Sequence, residues 1–308
     1  MIHVFIINNY AGSKDLAKDL RTHLSGIEGL RYFVFNTVRA GFEKEIVKKI
    51  RRYFEGERLR FYCCGGSGTM RNMLNGLDDF SNVEVAFFPC GMTNDFLKAL
   101  GGEEPFKNID TLINGKTVPV DYIKTNYGVA LNTVSVGFDS RTVELTAAYK
   151  VYDIFGNQVP YFMSLIKGVL FNRPKKVELT IDGEKMLINF TEIIFGNGCV
   201  FGGNLYFTNH ADVTDGLASY MTITDTHGLN SLSIILKIMK KKIDRLGNNV
   251  KLGNCNSIEI RSMDGMPLFI NFDGELVECG DSCRVEIVRK GLNFVVPKDF
   301  DVKEFTLN

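Results

Sequence analysis

The chain has 308 residues, of which 45% are apolar and 23% charged, and its 36 basic side chains balance its 36 acidic ones. A neutral chain without a polybasic tail is not expected to bind nucleic acid. The length exceeds what one ordinary core fills, so it predicts two domains. No apolar run reaches the roughly 20 residues of a membrane span, and seven scattered cysteines indicate reduced thiols in a cytoplasmic protein.

The first part of the chain alternates short apolar strands with helices. Its pattern predicts strands at residues 4–7, 32–35, 59–63 and 83–88, and helices at residues 15–24, 42–54, 70–77 and 94–100. This alternation is typical of a parallel sheet that is covered by helices on both faces. We therefore predict an α/β domain over residues 1–121.

From about Asp121 the pattern is that of an antiparallel β domain with helical insertions. It predicts strands at residues 122–124, 127–136, 176–181, 185–195, 218–223, 257–261, 268–272 and 283–288, and helices at residues 145–149, 159–170 and 231–242. Turn signals such as Asp182-Gly183 and Asp264-Gly265 join many of these strands. We predict an all-β domain over residues 122–295, and we expect the C-terminal segment 296–308 to return to the first domain.

The most informative motif is Gly65-Gly66-Ser67-Gly68-Thr69, which connects a predicted buried strand to a helix. Glycines in such a turn let backbone N–H groups face an anion, and the helix N-terminus adds a partial positive charge. Its spacing fits neither the Walker loop nor G-x-G-x-x-G. Polar turns at residues 8–14 and 89–95, and Thr37, end the other three strands. Because ligands of parallel sheets bind beyond the carboxyl ends of the strands, the set predicts a cleft for a nucleotide phosphate.

These residues resemble the motifs of the diacylglycerol kinase catalytic-domain family, specifically of its bacterial soluble lipid kinases. Residues 8–12 are similar to the family's Asn-Pro-x-x-Gly, residues 65–69 to Gly-Gly-Asp-Gly-Thr, and residues 89–96 to Pro-x-Gly-Thr-x-Asn-Asp-Phe. In the second part, residues 132–139, 196–203 and 211–216 follow the family pattern, and Asp273-Gly274-Glu275 is similar to its late Asp-Gly-Glu. The matches occur in family order and span nearly the whole chain.

The resemblance implies an ATP-binding α/β domain, a β-sandwich domain and a cleft between them, in which the γ-phosphoryl group of ATP is transferred to a lipid hydroxyl such as that of diacylglycerol. It implies these nucleotide-binding residues: Asn8, Thr37, Gly65, Gly66, Ser67, Gly68, Thr69, Gly91, Thr93, Asn94 and Asp95. The resemblance also implies peripheral contact with the inner membrane face. Nothing in the sequence fixes the oligomeric state, and a homodimer is compatible with it.

By the same resemblance, Glu275 is the candidate general base, with Asp273 beside it. If their strand continues, both carboxylates face the cleft, because residues two apart on a strand share a face. The alternative is a hairpin turn at Asp273-Gly274 followed by a solvated Glu275. The tripeptide Asp182-Gly183-Glu184, which matches no motif, shows how readily such a hairpin sequence arises.

The resemblance implies a structural Mg²⁺ held by Asp215, with backbone carbonyls near Asp212 and Leu217. Oxygen-rich loops suit this hard cation. The alternative interpretation of Asp215-Gly216 is an ordinary β-turn that begins at an aspartate. ATP and Mg²⁺ are thus the expected cofactors.

Three departures from the family lie in the nucleotide motifs. Ser67 stands where the family has Asp, Met92 where it has Thr, and Arg71-Asn72 where it has Asn-Glu. One interpretation is a protein that binds nucleotide or lipid without turnover. The other is a working enzyme in which Asp95, with the two late carboxylates, holds the metal and Arg71 neutralises phosphate charge. An NAD kinase is a third interpretation, against which the second-domain matches argue.

Overall fold

The computed structural model describes residues 1–9, 11, 15–91, 93–137, 168–170 and 173–307. The predicted helices at residues 145–149 and at most of 159–170 lie outside these residues. The helices of the first domain are α1 (Leu16–Ser25), α2 (Phe42–Tyr53), α3 (Ser67–Leu74), α4 (Asp95–Ala99) and α5 (Ile109–Ile113). The second domain contributes α6 (Gly228–Met239).

Four parallel strands form the first half of the sheet, in the order β4-β3-β1-β2. They are β1 (Ile2–Asn8), β2 (Tyr32–Thr37), β3 (Leu59–Gly65) and β4 (Val83–Pro89). Every residue of β3 is buried, as expected for a central strand with helices on both faces. The predicted strands of this domain are confirmed, and their carboxyl ends meet at one edge of the sheet.

The remaining strands are mostly antiparallel. They are β5 (Lys116–Thr125), β6 (Gly128–Ala130), β7 (Thr133–Gly137), β8 (Lys175–Ile181), β9 (Glu184–Gly196), β10 (Val200–Phe201), β11 (Leu205–Tyr206), β12 (His210–Ala211), β13 (Ala218–Thr224), β14 (Val250–Cys255), β15 (Ser257–Ser262), β16 (Phe269–Phe272), β17 (Glu275–Glu278), β18 (Ser282–Val296) and β19 (Phe305–Thr306). They build an antiparallel β-sandwich with its own apolar core, to which Ile193, Ile260 and Ile270 belong. The predicted fold class is therefore confirmed.

One strand, β18, belongs to both halves of the molecule. Its segment Asn293–Val295 pairs with β4 in parallel, while its segment 282–286 pairs with β15 in antiparallel fashion. Strand β5 pairs with β18 on both sides of a register shift between Val288 and Leu292. The predicted domain boundary at residue 121 therefore falls inside β5, in a strand that the two halves share.

One sequence prediction about the second domain is wrong. Residues 127–136 do not form one strand, because the chain leaves the ladder at Leu131 and Asn132, whose backbone N–H groups bond to a carboxylate instead. The C-terminal segment begins against the first domain, where Phe300 packs on Phe106, but its end, β19, pairs with β12. Among the described residues, no helix combines the length and the apolar character needed to cross a bilayer.

Candidate functional site

The ends of the parallel strands are joined by side-chain hydrogen bonds. Asn8, the last residue of β1, donates from Nδ2 to Oγ1 of Thr69 at 2.9 Å, and Asn9 donates to the carbonyl oxygen of Thr37 at 3.0 Å. Thr37 and Thr69 are both buried. Three of the four predicted strand ends are thus held together, and the polar side chains that sequence analysis selected lie at one edge of the sheet.

Close packing of two turns explains the glycines. A Cβ atom on Gly91 would lie 2.4 Å from Cα of Gly66, and one on Gly65 would lie 2.5 Å from Oγ1 of Thr69. The carbonyl oxygen of Gly65 also accepts hydrogen bonds from Cys90 and Gly91, both at 3.0 Å. Gly91 therefore serves the contact between the two turns, and Gly65 makes room for the side chain of Thr69 within its own turn.

Ser67 fastens the same two turns. Its backbone N–H donates to the carbonyl oxygen of Thr93 at 2.8 Å, and its hydroxyl donates to that same oxygen at 3.1 Å. The hydroxyl also accepts from the backbone N–H of Asp95 at 3.4 Å. The carboxylate of an aspartate at position 67 could not donate to Thr93 as the serine hydroxyl does, so the serine fits its surroundings in this chain.

Helix α3 begins directly at the glycine turn. The first N–H groups of a helix have no partner within it, and here those of Ser67 and Met70 donate to Thr93 and Gly66. In the part of the chain that the structure describes, the N–H groups of Gly68 and Thr69 remain as donors for an anion. A Cβ on Gly68 would meet open space, so the protein leaves room beside this position.

Asp95 reaches across to the second domain. Its Oδ2 accepts from the backbone N–H of Gly203 at 3.0 Å, and its Oδ1 lies 3.4 Å from Nζ of Lys98, which also donates to the carbonyl oxygen of Gly203. Burial raises the pKa of the Asp95 carboxyl, although Lys98 and Gly203 oppose the shift. Asn94 is buried and donates to the carbonyl oxygen of Gly91 at 3.1 Å. Met92 lies outside the described residues.

The structure corrects the expectation that Asp273 and Glu275 share a strand face. Asp273 has φ of 45° and Gly274 of 86°, so these residues form the turn between β16 and β17, and the strand does not continue. Left-handed conformations at both central positions are typical of two-residue hairpin turns. The hairpin alternative is therefore right about Asp273-Gly274.

The carboxylate of Asp273 is bound to the main chain of residues 131–133. It accepts from the N–H groups of Leu131 at 2.7 Å and Thr133 at 2.9 Å, and from that of Asn132 at 3.2 Å. Burial raises the pKa of this carboxyl, while the three N–H donors and Arg71 act in the opposite direction. Asp273 thus anchors the hairpin, and its oxygens are occupied away from the glycine turn.

Glu275 is not simply solvated, because it meets Arg71 of α3. Nε of Arg71 lies 2.9 Å from Oε2 of Glu275, and the two side chains are 10% and 37% exposed. The guanidinium also donates to the carbonyl oxygen of Asp273 at 3.1 Å and lies over the ring of Phe272. The guanidinium that the sequence suggested for phosphate charge thus contacts the candidate base, and its role toward phosphate stays a prediction.

The predicted metal loop has internal partners. Asp212 accepts from the backbone N–H of Thr214, and Asp215 from that of Leu217, each at 2.8 Å. The fully buried Asp121, which sequence analysis did not select, accepts from the N–H of Gly216 at 2.7 Å. Burial raises the pKa of Asp121 and of Asp215, and the neighbouring carboxylates add to both shifts.

The side chains do not form a closed Mg²⁺ site. Among the described residues, no three His, Cys, Asp or Glu side chains come close enough together to hold a metal ion. The carboxylates of Asp95, Asp273 and Glu275 each contact a different protein group, Gly203, Leu131 and Arg71. Within the part of the chain that the structure describes, these carboxylates are therefore not gathered into one Mg²⁺ site.

The comparisons with known proteins agree with the two halves of the fold. Residues 3–125 match the family model of the diacylglycerol kinase catalytic domain, and residues 132–295 match that of the YegS C-terminal NAD kinase beta sandwich-like domain. The chain therefore belongs to the diacylglycerol kinase catalytic-domain family, which makes it a member of a kinase family of transferases.

Solved structures show the same fold. One proposed diacylglycerol kinase from Bacillus anthracis str. Sterne is 22% identical, with a TM-score of 0.71 and 96% of each chain covered. A second structure with that description and source is 21% identical, with a TM-score of 0.72 and the same coverage. A third, described as a diacylglycerol kinase from this strain, is 18% identical, with a TM-score of 0.66, and covers 97% of this chain and 98% of its own. A search of curated proteins found no significant match.

Three side chains that organise the site were not predicted from the sequence. Lys98 fixes the turn at Gly203, Asp121 fixes the acidic loop, and Glu43 of α2 is buried beside α3. One signal was available for Glu43, since it stands between Phe42 and Ile46 in the first turn of a helix that follows a strand end. The contacts of Lys98 and Asp121 join residues about 100 positions apart, and no local pattern indicates them.

Proposed function

We propose that this protein is an ATP-dependent lipid kinase that transfers the γ-phosphoryl group to the hydroxyl of diacylglycerol or a similar single-hydroxyl lipid. One observation carries the proposal: Glu275 of the second domain contacts Arg71 of α3, the helix that opens at the glycine turn. Arg71 follows Ser67 by four residues, about 6 Å along a helix. Because residues four apart on a helix share a face, this contact supports placing the candidate base near the candidate phosphate turn.

The reaction uses few protein groups. The lipid hydroxyl oxygen forms a bond to the γ-phosphorus, the bond from that phosphorus to the bridging oxygen breaks, and ADP leaves with the electron pair. Glu275 receives the hydroxyl proton. The N–H groups of Gly68 and Thr69, at the start of α3, stabilise phosphate oxygens. ATP and Mg²⁺ enter together as a complex in this proposal, with the metal bound by the phosphates.

The acceptor lipid implies reversible contact with a membrane surface. Helix α6 presents Leu229 and Leu236 to solvent, with 78% and 43% exposure, and is followed by the exposed Lys240, Lys241 and Lys242. Exposed leucines beside lysines favour the boundary of an anionic bilayer. Sedimentation with vesicles that contain anionic lipid should bring down the wild type and leave a variant with Leu229→Ser and Leu236→Ser in solution.

A lipid-class screen tests the proposed activity directly. Pure protein is incubated with ATP, Mg²⁺ and vesicles that each carry one class of hydroxyl lipid, and products are read by mass spectrometry. We expect a mass gain of one phosphoryl group on diacylglycerol or a close analogue. Nucleotide binding without product from any lipid, under any divalent metal, would instead identify the binding protein without turnover.

Ser67→Asp restores the family residue and sharpens this test. Because the Ser67 hydroxyl donates to Thr93, we expect the substitution to separate the two turns and to lower turnover. A large gain in Mg²⁺-dependent turnover would mean that the natural site is degenerate, in agreement with the alternative function.

A further inference from the structure

A line of polar contacts crosses from α2 through α3 to the second domain. Glu43 accepts from Nδ2 of Asn72 at 3.3 Å, and Oδ1 of Asn72 accepts from Nη2 of Arg71 at 3.0 Å. Arg71 then meets Glu275 at 2.9 Å. Four side chains from α2, α3 and β17 thus connect the start of α2 to the candidate base.

Burial makes these contacts necessary. Glu43 is 2% exposed and Arg71 is 8% exposed as whole residues. Burial lowers the pKa of Arg71, and the carboxylates of Glu275, Asp273 and Glu43 oppose that shift. A charged group in such a place needs partners for most of its donors, and Asn72, Asp273 and Glu275 each supply one contact to Arg71.

The contact between Arg71 and Glu275 is an ion pair without a well-aligned hydrogen bond. At 2.9 Å the two atoms are close, yet Nε of Arg71 and Oε2 of Glu275 find no aligned hydrogen-bond partner among the described residues. A second contact, from Nη1 of Arg71 to the carbonyl oxygen of Asp273, holds the same hairpin. Two contacts from one guanidinium define where the hairpin lies relative to α3.

Two residues of α3 differ in charge from the family motif. The motif carries Asn-Glu where this chain has Arg71-Asn72, so α3 lacks an acid and has gained a base. Glu43 of α2 brings a buried carboxylate to the side chain of Asn72, so an acid is present there although it comes from another helix. A neutral asparagine at position 71 could not pair with Glu275 by charge.

We propose that Arg71 is the positioning residue for Glu275, held in place by Asn72 and Glu43. The inference rests on the proposed function, in which Glu275 receives the hydroxyl proton. Arg71 touches neither reactant. It sets the distance between Glu275 and the glycine turn by contacting Oε2 of the Glu275 carboxylate, while the rest of that side chain stays partly exposed.

Full-length Arg71→Gln and Arg71→Lys variants test the role of Arg71, with Arg51→Gln as the matched control. Arg51 is also mostly buried, at 17% side-chain exposure, but it bonds within the first domain, to Ser81 and Asp79. We expect Arg71→Gln to lower kcat by about 10²-fold, because a base displaced by about 1 Å loses roughly that factor. KM for ATP should stay within twofold, Arg71→Lys should recover part of kcat, and the control should keep full turnover.

A double variant separates positioning from simple structural support. If Arg71 acts through Glu275, then Arg71→Gln combined with Glu275→Gln should be no slower than Glu275→Gln alone. If each substitution lowers kcat by itself and the two reductions multiply in the double variant, the proposal is wrong. A rise in KM for ATP with kcat unchanged in Arg71→Gln would also contradict it. Thermal unfolding of each variant identifies any that fails to fold, and in that case Arg71→Lys, which keeps the charge, is compared with the control.

Failure of the proposed function looks different. If Glu275→Gln keeps full turnover, or no lipid is phosphorylated at all, the base role itself is wrong. If Glu275→Gln is inactive and Arg71→Gln is fully active, only the positioning role is wrong.

Discussion

Asp182-Gly183-Glu184 and Asp273-Gly274-Glu275 are the same tripeptide in two hairpins of one domain. The backbone angles nearly coincide, with φ of 46° and 92° in the first turn and 45° and 86° in the second. In both, the aspartate accepts N–H groups from a neighbouring segment of chain: Asp182 from Asn256 and Ser257, and Asp273 from residues 131–133.

The two hairpins differ in what lies opposite them. Asp182 and Glu184 are exposed at the outer end of β8 and β9, whereas Asp273 is buried and Glu275 meets Arg71 of the first domain. The tripeptide therefore specifies a turn with an anchored aspartate, and its neighbours decide whether the following glutamate belongs to a site. The first hairpin is a natural control for the second.

The largest expected difference is in activity. Glu275→Gln should lower kcat by about 10²–10⁴-fold, the range for loss of a general base, while Glu184→Gln should leave it unchanged. Initial rates of lipid phosphorylation at saturating ATP measure both. Equal rates for the two variants would remove the distinction between the hairpins.

The aspartates should differ in stability. An asparagine at position 273 would turn an amide N–H₂ toward buried N–H donors, so we expect Asp273→Asn to lower the free energy of unfolding by about 1–3 kcal/mol. Asp182→Asn, in an exposed turn, should cost less than about 1 kcal/mol. Urea unfolding followed by circular dichroism gives both values, and equal losses would contradict the importance of burial.

The glycines should behave alike. A Cβ on Gly183 or on Gly274 would meet open space, so only the left-handed backbone opposes alanine, at about 1–2 kcal/mol. Gly183→Ala and Gly274→Ala are therefore expected to lower the free energy of unfolding equally. A much larger loss for Gly274→Ala would show that the second turn carries a constraint that the first lacks.

The smallest expected effect is a change in pH dependence. Burial raises the pKa of Asp273, so the folded chain holds this proton more tightly than the unfolded chain does. The stability it contributes is complete below the unfolded value of about 3.9 and is lost as pH rises through the folded pKa. The free energy of unfolding should therefore fall less with rising pH in Asp273→Asn than in the wild type. If the free energy of unfolding changes with pH equally in the two proteins, the raised pKa of Asp273 is wrong.

Local patterns predicted the parts of the molecule that depend on near neighbours. The apolar run 59–63 was enough to predict β3, and the glycines after it were enough to predict the turn into α3. The contact between Arg71 and Glu275 joins residues 204 positions apart in the chain, and no periodicity reports it. The break of the predicted strand 127–136 has the same origin, because the carboxylate that causes it comes from Asp273.

Strand β18 limits how the cleft can open. It hydrogen-bonds to β4 near one end and to β15 near the other, and its irregular middle is held where Lys290 donates its N–H to the buried Asp121 at 2.6 Å. Along β18 the two domains are thus joined by hydrogen-bonded backbone instead of by a flexible linker. Any opening between the two domains has to bend the continuous strand β18 at residues 288–292. Removing either domain would leave the other with an unpaired edge strand.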